Sequence, residues 1–181
     1  MARYYFYQTV HEDPLLDKGW LAITNFHYSK RNYDKALHYI NKALNIDSEN
    51  PLYWKSVAEA EFHVGNIVSS LEAYEEASML APDDKEIWLD WSFIYYEQGE
   101  FDKAIDLIIS GMDELPDESD YYYRVTAYLI AAGKYKEAFN YLENALILNF
   151  ENHTILFEFF PHLETQKALF KIIDQFRKEN S

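Results

Sequence analysis

The sequence contains no cysteine, and only five glycines and five prolines interrupt its 181 residues. The absence of cysteine excludes disulfides, zinc sites built on thiolates, and thiol nucleophiles. No apolar run approaches 18 residues, and no basic segment followed by an apolar one opens the chain, so neither a membrane span nor an intact secretory signal is expected. Basic side chains number 16 against 31 acidic ones, a net charge of −15. Because nucleic acids carry a negative backbone, this balance argues against binding them.

Aromatic side chains, in contrast, are abundant. The chain has 16 Tyr, 12 Phe and 4 Trp, and apolar types together make up 49% of the residues against 26% charged. This composition lies in the range of globular proteins and argues against disorder. Large flat rings are therefore expected to fill much of the core.

The few glycines, prolines and tryptophans recur at a fixed interval of 34 residues. A constant period between about 20 and 50 residues is typical of repeat proteins. The series are Gly65, Gly99 and Gly133; Trp20, Trp54 and Trp88, continued by Tyr122; and Pro14, Pro82 and Pro116, with one member skipped between the first two.

Aligned on this period, the chain divides into four predicted units at 17–50, 51–84, 85–118 and 119–152. Apolar offsets within each unit form two helical stripes of about 12–14 residues with a break at the glycine. Small residues at three offsets would let two antiparallel helices approach closely while the bulky fourth residue fills the gap between them. These small residues are Thr24, Ala58, Ser92 and Thr126; Ala36, Ser70, Ala104 and Ala138; and Ala43, Ala77, Gly111 and Ala145.

This pattern resembles the tetratricopeptide repeat (TPR) family, whose 34-residue unit carries Trp, Leu-Gly, Tyr, Gly, Tyr, Ala, Phe, Ala and Pro in that order. The resemblance covers nearly the whole chain. It departs at Arg31, which replaces the turn glycine of the first unit, and at Ser48 and Phe150, which replace the closing proline. The resemblance implies an all-α fold, a right-handed α-solenoid of antiparallel helix pairs (a TPR superhelix) whose first helices line the concave side.

The 34-residue alignment also extends to the start of the chain, where Ala2, Phe6 and Pro14 fall on repeat positions. Residues 1–16 are therefore predicted to be the second helix of a truncated preceding repeat, and the chain to be a fragment of a longer protein. An N-terminal capping helix that keeps the register is the alternative.

Residues 153–181 keep the apolar stripe in degraded form and are predicted to be a degenerate repeat with C-terminal capping helices. Pro161 is expected to end the first of these helices, because proline lacks the amide donor and clashes with the preceding turn. The second is predicted from about Leu163 to Lys178. One half-unit, four full units and the cap give eleven predicted helices.

The sequence offers no arrangement suited to catalysis. No two of its six histidines lie three or four residues apart, and it has no His-Glu-x-x-His string, glycine-rich phosphate loop or Gly-x-Ser-x-Gly elbow. The acidic pairs Asp83-Asp84 and Asp117-Glu118 lie where units meet, and we expect them to complement helix N-termini. We therefore predict no enzyme activity, no cofactor and no metal site.

Candidate functional residues come from the family resemblance, which implies that six positions of each unit line the concave surface. Several of them are large and apolar here, and such exposed clusters are enriched at binding hot spots. The alternative is that these rings pack against one another as core. The predicted protein- or peptide-binding residues are Asn25, Tyr28, Lys55, Glu59, Phe62, His63, Leu89, Phe93, Tyr96, Tyr123 and Arg124.

One known binding mode of the family grips a terminal carboxylate. The sequence matches at most two of its five positions and places Asp90 where it would repel that group. Among the concave positions three are basic and five acidic. The predicted ligand is therefore a neutral to mildly basic protein or peptide segment with apolar anchors, either extended or helical.

Three hypotheses for function follow. The leading one is a non-catalytic scaffold for protein–protein interaction, expected to be cytoplasmic. The second is a regulatory or sensory region of a larger enzyme or signalling protein. The third is self-association into a homodimer, since the run Tyr4-Tyr5-Phe6-Tyr7 would lose its covering helix if a repeat is truncated.

Overall fold

The computed structural model describes residues 8, 10, 11, 13–159 and 167–179. Within these residues the chain is helical and contains no β-strand, which confirms the prediction of an all-α solenoid of helix pairs. The helices are α1 (Asp17–Ser29), α2 (Tyr33–Leu44), α3 (Pro51–Val64), α4 (Ile67–Leu80), α5 (Lys85–Glu97), α6 (Phe101–Glu114), α7 (Ser119–Ala131), α8 (Tyr135–Leu148), a 3-10 helix (Phe150–Ile155), α9 (Leu156–Phe159) and α10 (Lys167–Glu179).

The first helices of the four pairs begin at residues 17, 51, 85 and 119, the first residues of the four predicted units. Local sequence explains these starts. The Asn50 side chain accepts a hydrogen bond from the Leu52 amide (3.1 Å), and proline at the first position of α3 needs no amide partner. The Asp84 side chain accepts one from the Glu86 amide (3.0 Å) in the same way, and Glu118 caps α7. The acidic pairs therefore cap helices, as expected.

The turn inside each pair requires a left-handed backbone. Gly65, Gly99 and Gly133 have φ values of 89°, 74° and 75°, and a Cβ at any of them would meet nothing within 4 Å. Backbone conformation is therefore what selects glycine here. Arg31 holds the same turn in the first pair with φ of 54°, and it is the one non-glycine residue with positive φ in the described part of the chain. Since a side chain in this region is strained, the departure has an energetic cost.

The large ring at the fourth residue of a first helix also fastens the preceding loop. In three pairs its polar atom donates a hydrogen bond to a backbone carbonyl six residues earlier. Because the acceptor is backbone, serine can stand in for proline at the acceptor position, and tyrosine can stand in for tryptophan as donor. The bonds run from Trp20 to Pro14 (2.9 Å), from Trp54 to Ser48 (2.8 Å) and from Tyr122 to Pro116 (3.0 Å).

The chain folds as two compact units, residues 1–87 and residues 88–181. In the first unit α1 to α4 pack each against the next along the chain. Small residues allow this close packing, since Ala36, Ala43 and Ala58 are fully buried. Ser70 is also fully buried and satisfies its hydroxyl by donating to the Ala58 carbonyl over 2.7 Å.

The second unit has a core of aliphatic and tyrosine side chains from α5, α6 and α7. Gly111 marks a close approach of α6 to α5, because a Cβ there would lie 2.9 Å from Cγ of Trp88. A second apolar cluster joins α7 and α8 to the C-terminal segment. Its buried members are Tyr123, Ala127, Leu142, Ala145, Leu146, Leu156, Leu169 and Ile173.

The C-terminal segment differs from a regular pair. Its first half is a 3-10 helix followed by the short α9, which as described spans four residues. Helix α10 buries Leu169 and Ile173 and turns Lys178 toward Asp174, with 2.6 Å between Nζ and Oδ2. Pro161, the predicted start of the second capping helix, the run Tyr4–Tyr7 and most of the predicted helix at 1–16 lie outside the described residues.

Candidate functional site

The eleven predicted binding residues divide between the two units. Six belong to residues 1–87 and five to residues 88–181. Within each unit the structure brings several of them together around aromatic rings.

In the first unit, four side chains form what we call the His63 cluster: Tyr28, Tyr33, Phe62 and His63. The His63 ring stacks on Tyr33 with centroids 4.1 Å apart and an interplanar angle of 14°. Tyr28 packs edge-on against both, at 5.2 Å from Tyr33 and 5.7 Å from His63, and Phe62 lies 5.6 Å from His63. The elements that place them are the ends of α1 and α3 and the start of α2. Three of the four residues were predicted from sequence.

Tyr33 was not predicted as a functional residue. It begins α2 and was assigned only to the apolar stripe of the second helix. It stacks on His63, which lies on α3, so this contact joins the second helix of one pair to the first helix of the next. No local signal in the sequence marks Tyr33 as part of this group.

The pKa of His63 is lowered from its ordinary value. The main cause is desolvation of the ring, and the positive charge of Arg31 is the second. An imidazole whose pKa lies below the usual 6.5 is neutral at pH 7. It then offers one hydrogen-bond donor, one acceptor and an apolar face to a ligand.

The remaining predicted residues of the first unit are polar and lie on the same first helices, α1 and α3. Asn25 is exposed, and Lys55 and Glu59 are half-buried. One cation and one anion therefore lie among the predicted surface positions of α3. This balance fits a ligand without strong net charge.

In the second unit, four rings form what we call the Phe159 cluster: Phe93, Tyr96, Tyr128 and Phe159. The Phe159 ring meets Tyr96 edge-on with centroids 5.1 Å apart and an angle of 90°. It meets Tyr128 at 5.7 Å and Phe93 at 6.3 Å in similar geometry. Phe93 and Tyr96 stack on one another at 5.8 Å, and Tyr96 stacks on Tyr128 at 5.0 Å. The rings come from α5, α7 and α9.

Arg124 lies over this cluster. Its guanidinium carbon is 5.0 Å from the ring centroid of Phe159 and 5.9 Å from that of Phe93, within range of cation–π attraction. Its Nη2 lies 3.7 Å from Oε2 of Glu158. The predicted residues Phe93, Tyr96 and Arg124 are thus brought together, and Phe159 joins them from a segment that sequence reasoning assigned to the cap.

Two predicted surface residues are buried instead. Leu89 is 5% exposed and belongs to the core formed with α6 and α7. Tyr123 is 0% exposed, and its hydroxyl donates to the Asn149 carbonyl over 2.8 Å. The C-terminal helices cover Tyr123, and burial is the main cause that raises the pKa of its phenol. Neither side chain is available to a ligand, so both are removed from the candidate surface.

The structure supplies two further observations on chemistry. Among the residues that the structure describes, no three histidine, aspartate or glutamate side chains are placed to hold one metal ion. No helix in the described part of the chain is long and apolar enough to cross a membrane.

Comparisons with known proteins agree with the repeat pattern. A family model described as tetratricopeptide repeat matches residues 62–127. The TPR repeat-containing protein MJ1428 of Methanocaldococcus jannaschii is 27% identical over 142 residues, which cover 78% of this chain and 25% of that protein. This chain therefore corresponds to about a quarter of that relative.

Solved structures show the same fold. The crystal structure of MamA aligns with a TM-score of 0.71 at 18% identity, covering 81% of this chain and 86% of that one. YrrB, described as a TPR protein with an unusual peptide-binding site, aligns with a TM-score of 0.66 at 16% identity over 84% of this chain and 78% of its own. The 34-residue spacing of helix starts, the tetratricopeptide repeat match over residues 62–127 and these shared folds support a tetratricopeptide repeat protein.

Proposed function

We propose that this chain is a non-catalytic protein-interaction module that docks a peptide segment of a partner protein on the surface around the His63 cluster. The observation that carries the proposal is the clustering of predicted surface positions into one group of rings. Tyr28 and Phe62 are half-buried, and His63 is exposed. Rings held in place by their neighbours present apolar area at a low cost in conformational entropy.

The chemistry of this surface favours an anchor that is apolar or aromatic. The His63–Tyr33 stack offers a flat face, and Tyr28 supplies a phenol at its side. Lys55 and Glu59 carry opposite charges on α3, the helix that also supplies Phe62 and His63, and this balance is compatible with a partner segment of neutral to mildly basic character. The peptide-binding description of YrrB is consistent with this kind of role in a protein of the same fold.

The proposal is tested by selecting binding peptides from a displayed random library on the wild-type protein and measuring their dissociation constants with variants. Tyr28→Ala and Phe62→Ala are each expected to weaken binding by about tenfold or more, because truncating a hot-spot ring costs upward of about 1–2 kcal/mol. Tyr135→Ala is the matched control, since Tyr135 is 56% exposed in the second unit, outside the cluster. Circular dichroism checks that each variant keeps its helical content.

Two results would contradict the proposal. One is that no peptide is selected. The other is that selected peptides bind the Tyr28 and Phe62 variants, with intact helical content, as tightly as they bind the wild type and the Tyr135 control.

A further inference from the structure

The Phe159 cluster contains a side chain that comes from outside the repeat helices that form the rest of it. Phe93 and Tyr96 lie on α5 and Tyr128 on α7, whereas Phe159 is on α9, in the C-terminal segment. Its ring inserts edge-on among the other three. Phe93 and Tyr96 are positions that the family resemblance assigns to ligand binding, so a segment of the chain itself sits on a predicted ligand surface.

Glu158, the residue before Phe159, makes a weak polar contact with Arg124. Glu158 is 63% exposed in its side chain, and its carboxylate lies 3.7 Å from Arg124, which is beyond ordinary hydrogen-bond distance. The Arg124 side chain is only 13% exposed, and its Nε has no hydrogen-bond partner among the described residues. A buried guanidinium donor left unsatisfied is costly, and a carboxylate bound to two of its nitrogens would satisfy it.

We propose that Glu158 and Phe159 are a built-in occupant of a second docking site, and that the partner segment for this site carries a carboxylate residue directly before an aromatic residue. Such a segment displaces Phe159 from the rings of Phe93, Tyr96 and Tyr128. Its carboxylate then binds two nitrogens of Arg124, which Glu158 does not do. This inference rests on the proposed docking function and extends it to the second unit with a defined ligand chemistry.

The expected neutral to mildly basic character of the whole ligand is compatible with this local preference. That expectation counts charges over all concave positions, whereas among the described residues Arg124 is the cation that lies over the Phe159 cluster. A partner segment of low net charge that contains one acidic residue followed by an aromatic residue meets both conditions.

The internal segment also weakens the apparent affinity of the site for a partner, because an intramolecular occupant acts at an effective concentration in about the millimolar range or above.

The test uses the full chain labelled with ¹⁵N and the probe N-acetyl-Glu-Phe-amide, followed by amide chemical shifts of Arg124 and Tyr128. The Phe159→Ala variant is expected to bind the probe saturably, with a dissociation constant at least about tenfold lower than the wild type, because the internal competitor is removed. Phe157→Ala is the matched control, since Phe157 is 42% exposed and lies outside the ring cluster, and it is expected to behave as the wild type.

A second experiment tests whether the site requires the carboxylate of the probe. N-acetyl-Gln-Phe-amide is expected to bind Phe159→Ala about threefold or more weakly than the Glu probe, a difference of the size found for partly exposed ion pairs. Adding Arg124→Gln to Phe159→Ala should remove that difference. Equal binding of the two probes to a folded Phe159→Ala protein overturns the assignment of the carboxylate to Arg124.

Absence of saturable probe binding to a folded Phe159→Ala protein, or equal binding to the wild type, overturns the proposal. If Phe159→Ala loses helical content, Phe159→Leu takes its place, because leucine retains most of the apolar volume. Its affinity should fall between the wild type and an open site, and wild-type affinity would contradict the proposal. The assay involves no residue of the His63 cluster, so a negative result here leaves peptide docking in the first unit standing, and loss of docking there leaves this result unchanged.

Discussion

The Tyr53 hydroxyl donates a hydrogen bond of 2.6 Å to Oδ2 of Asp17, and this bond joins the first helices of two successive pairs. Tyr53 is buried, at 1% exposed. The bond is the largest cause that lowers the pKa of Asp17, followed by the backbone amide of Lys18. Burial is the main cause that raises the pKa of Tyr53, and the bond to Asp17 is the second. The stability that this bond contributes between successive helix pairs therefore depends on pH.

The first prediction concerns Tyr53→Phe, which keeps the ring and removes the hydroxyl. We expect a loss of about 1–2 kcal/mol in the free energy of unfolding at pH 7, because a hydrogen bond to a charged partner contributes somewhat more than the roughly 1 kcal/mol of a neutral one. Because Asp17 has a lower pKa folded than unfolded, its contribution is present above about pH 4 and is lost as pH falls through the folded-state pKa. The difference between wild type and variant, from urea unfolding, should therefore shrink below about pH 4. A difference that is constant with pH would contradict the role of Asp17.

The positions of the helix pairs could be predicted from sequence because each rests on local chemistry. Gly65 is fixed by a left-handed turn, and Trp20 by a ring that both packs and donates to a carbonyl six residues earlier. Because every repeat needs the same residue types at these positions, they recur in the sequence every 34 residues. The C-terminal segment keeps the period only in degraded form, and its 3-10 helix and short α9 were not predicted.

The candidate site was predicted less completely. A family position says on which side of a helix a residue lies, but it does not say what else covers that side. Tyr123 is buried because the C-terminal helices cover it, and Phe159 reaches Tyr96 for the same reason. Both facts depend on contacts between segments far apart in sequence, which no local pattern encodes. Tyr28, Phe62 and His63 come together because they lie at equivalent places near the ends of first helices in successive pairs, which the 34-residue period encodes.

The second prediction concerns the strained turn at Arg31. Arg31→Gly should stabilise the protein by about 1 kcal/mol, because a left-handed backbone costs an L-residue about 1–2 kcal/mol and glycine little. Gly99→Ala is the matched reverse change, since its φ is 74° and a Cβ there meets nothing. It should destabilise by about 1 kcal/mol through backbone conformation alone. Midpoints of urea unfolding measure both changes, and the same sign for the two would refute the explanation.

The third prediction concerns the close approach of Gly111 to Trp88. Alanine at Gly111 gains about 1 kcal/mol of helix propensity. Its Cβ, however, would lie 2.9 Å from Cγ and 3.1 Å from Cδ2 of the indole, and such overpacking costs about 1–3 kcal/mol. We expect net destabilisation of about 1 kcal/mol in thermal or urea unfolding. Trp88→Ala removes Cγ and Cδ2 and should reduce the cost of Gly111→Ala. The first two pairs combine Trp20 with Ala43 and Trp54 with Ala77 at the same two positions, so the cost belongs to the placement of Trp88 and not to tryptophan as such. Equal cost in both backgrounds would exclude the indole as the cause.

The fourth prediction concerns the titration of His63. Its pKa is lowered mainly by desolvation and secondarily by Arg31, so protonation favours the unfolded chain and stability is lost as pH falls below about 6.5. Tyr33→Ala removes the ring stacked at 4.1 Å and should raise the pKa of His63 toward its ordinary value. Arg31→Gly should raise it by a smaller amount, because the charge is the lesser cause.

Imidazole proton shifts followed by NMR across pH 4–8 measure the pKa of His63 directly, and Tyr135→Ala is the control that should leave it unchanged. The same titration bears on docking, because a protonated His63 loses its acceptor and gains a charge that requires solvation. Peptides selected at pH 7 should therefore bind more weakly once His63 is protonated, and Tyr33→Ala should shift that loss to higher pH. An unchanged pKa in Tyr33→Ala would show that the stacked ring does not desolvate His63.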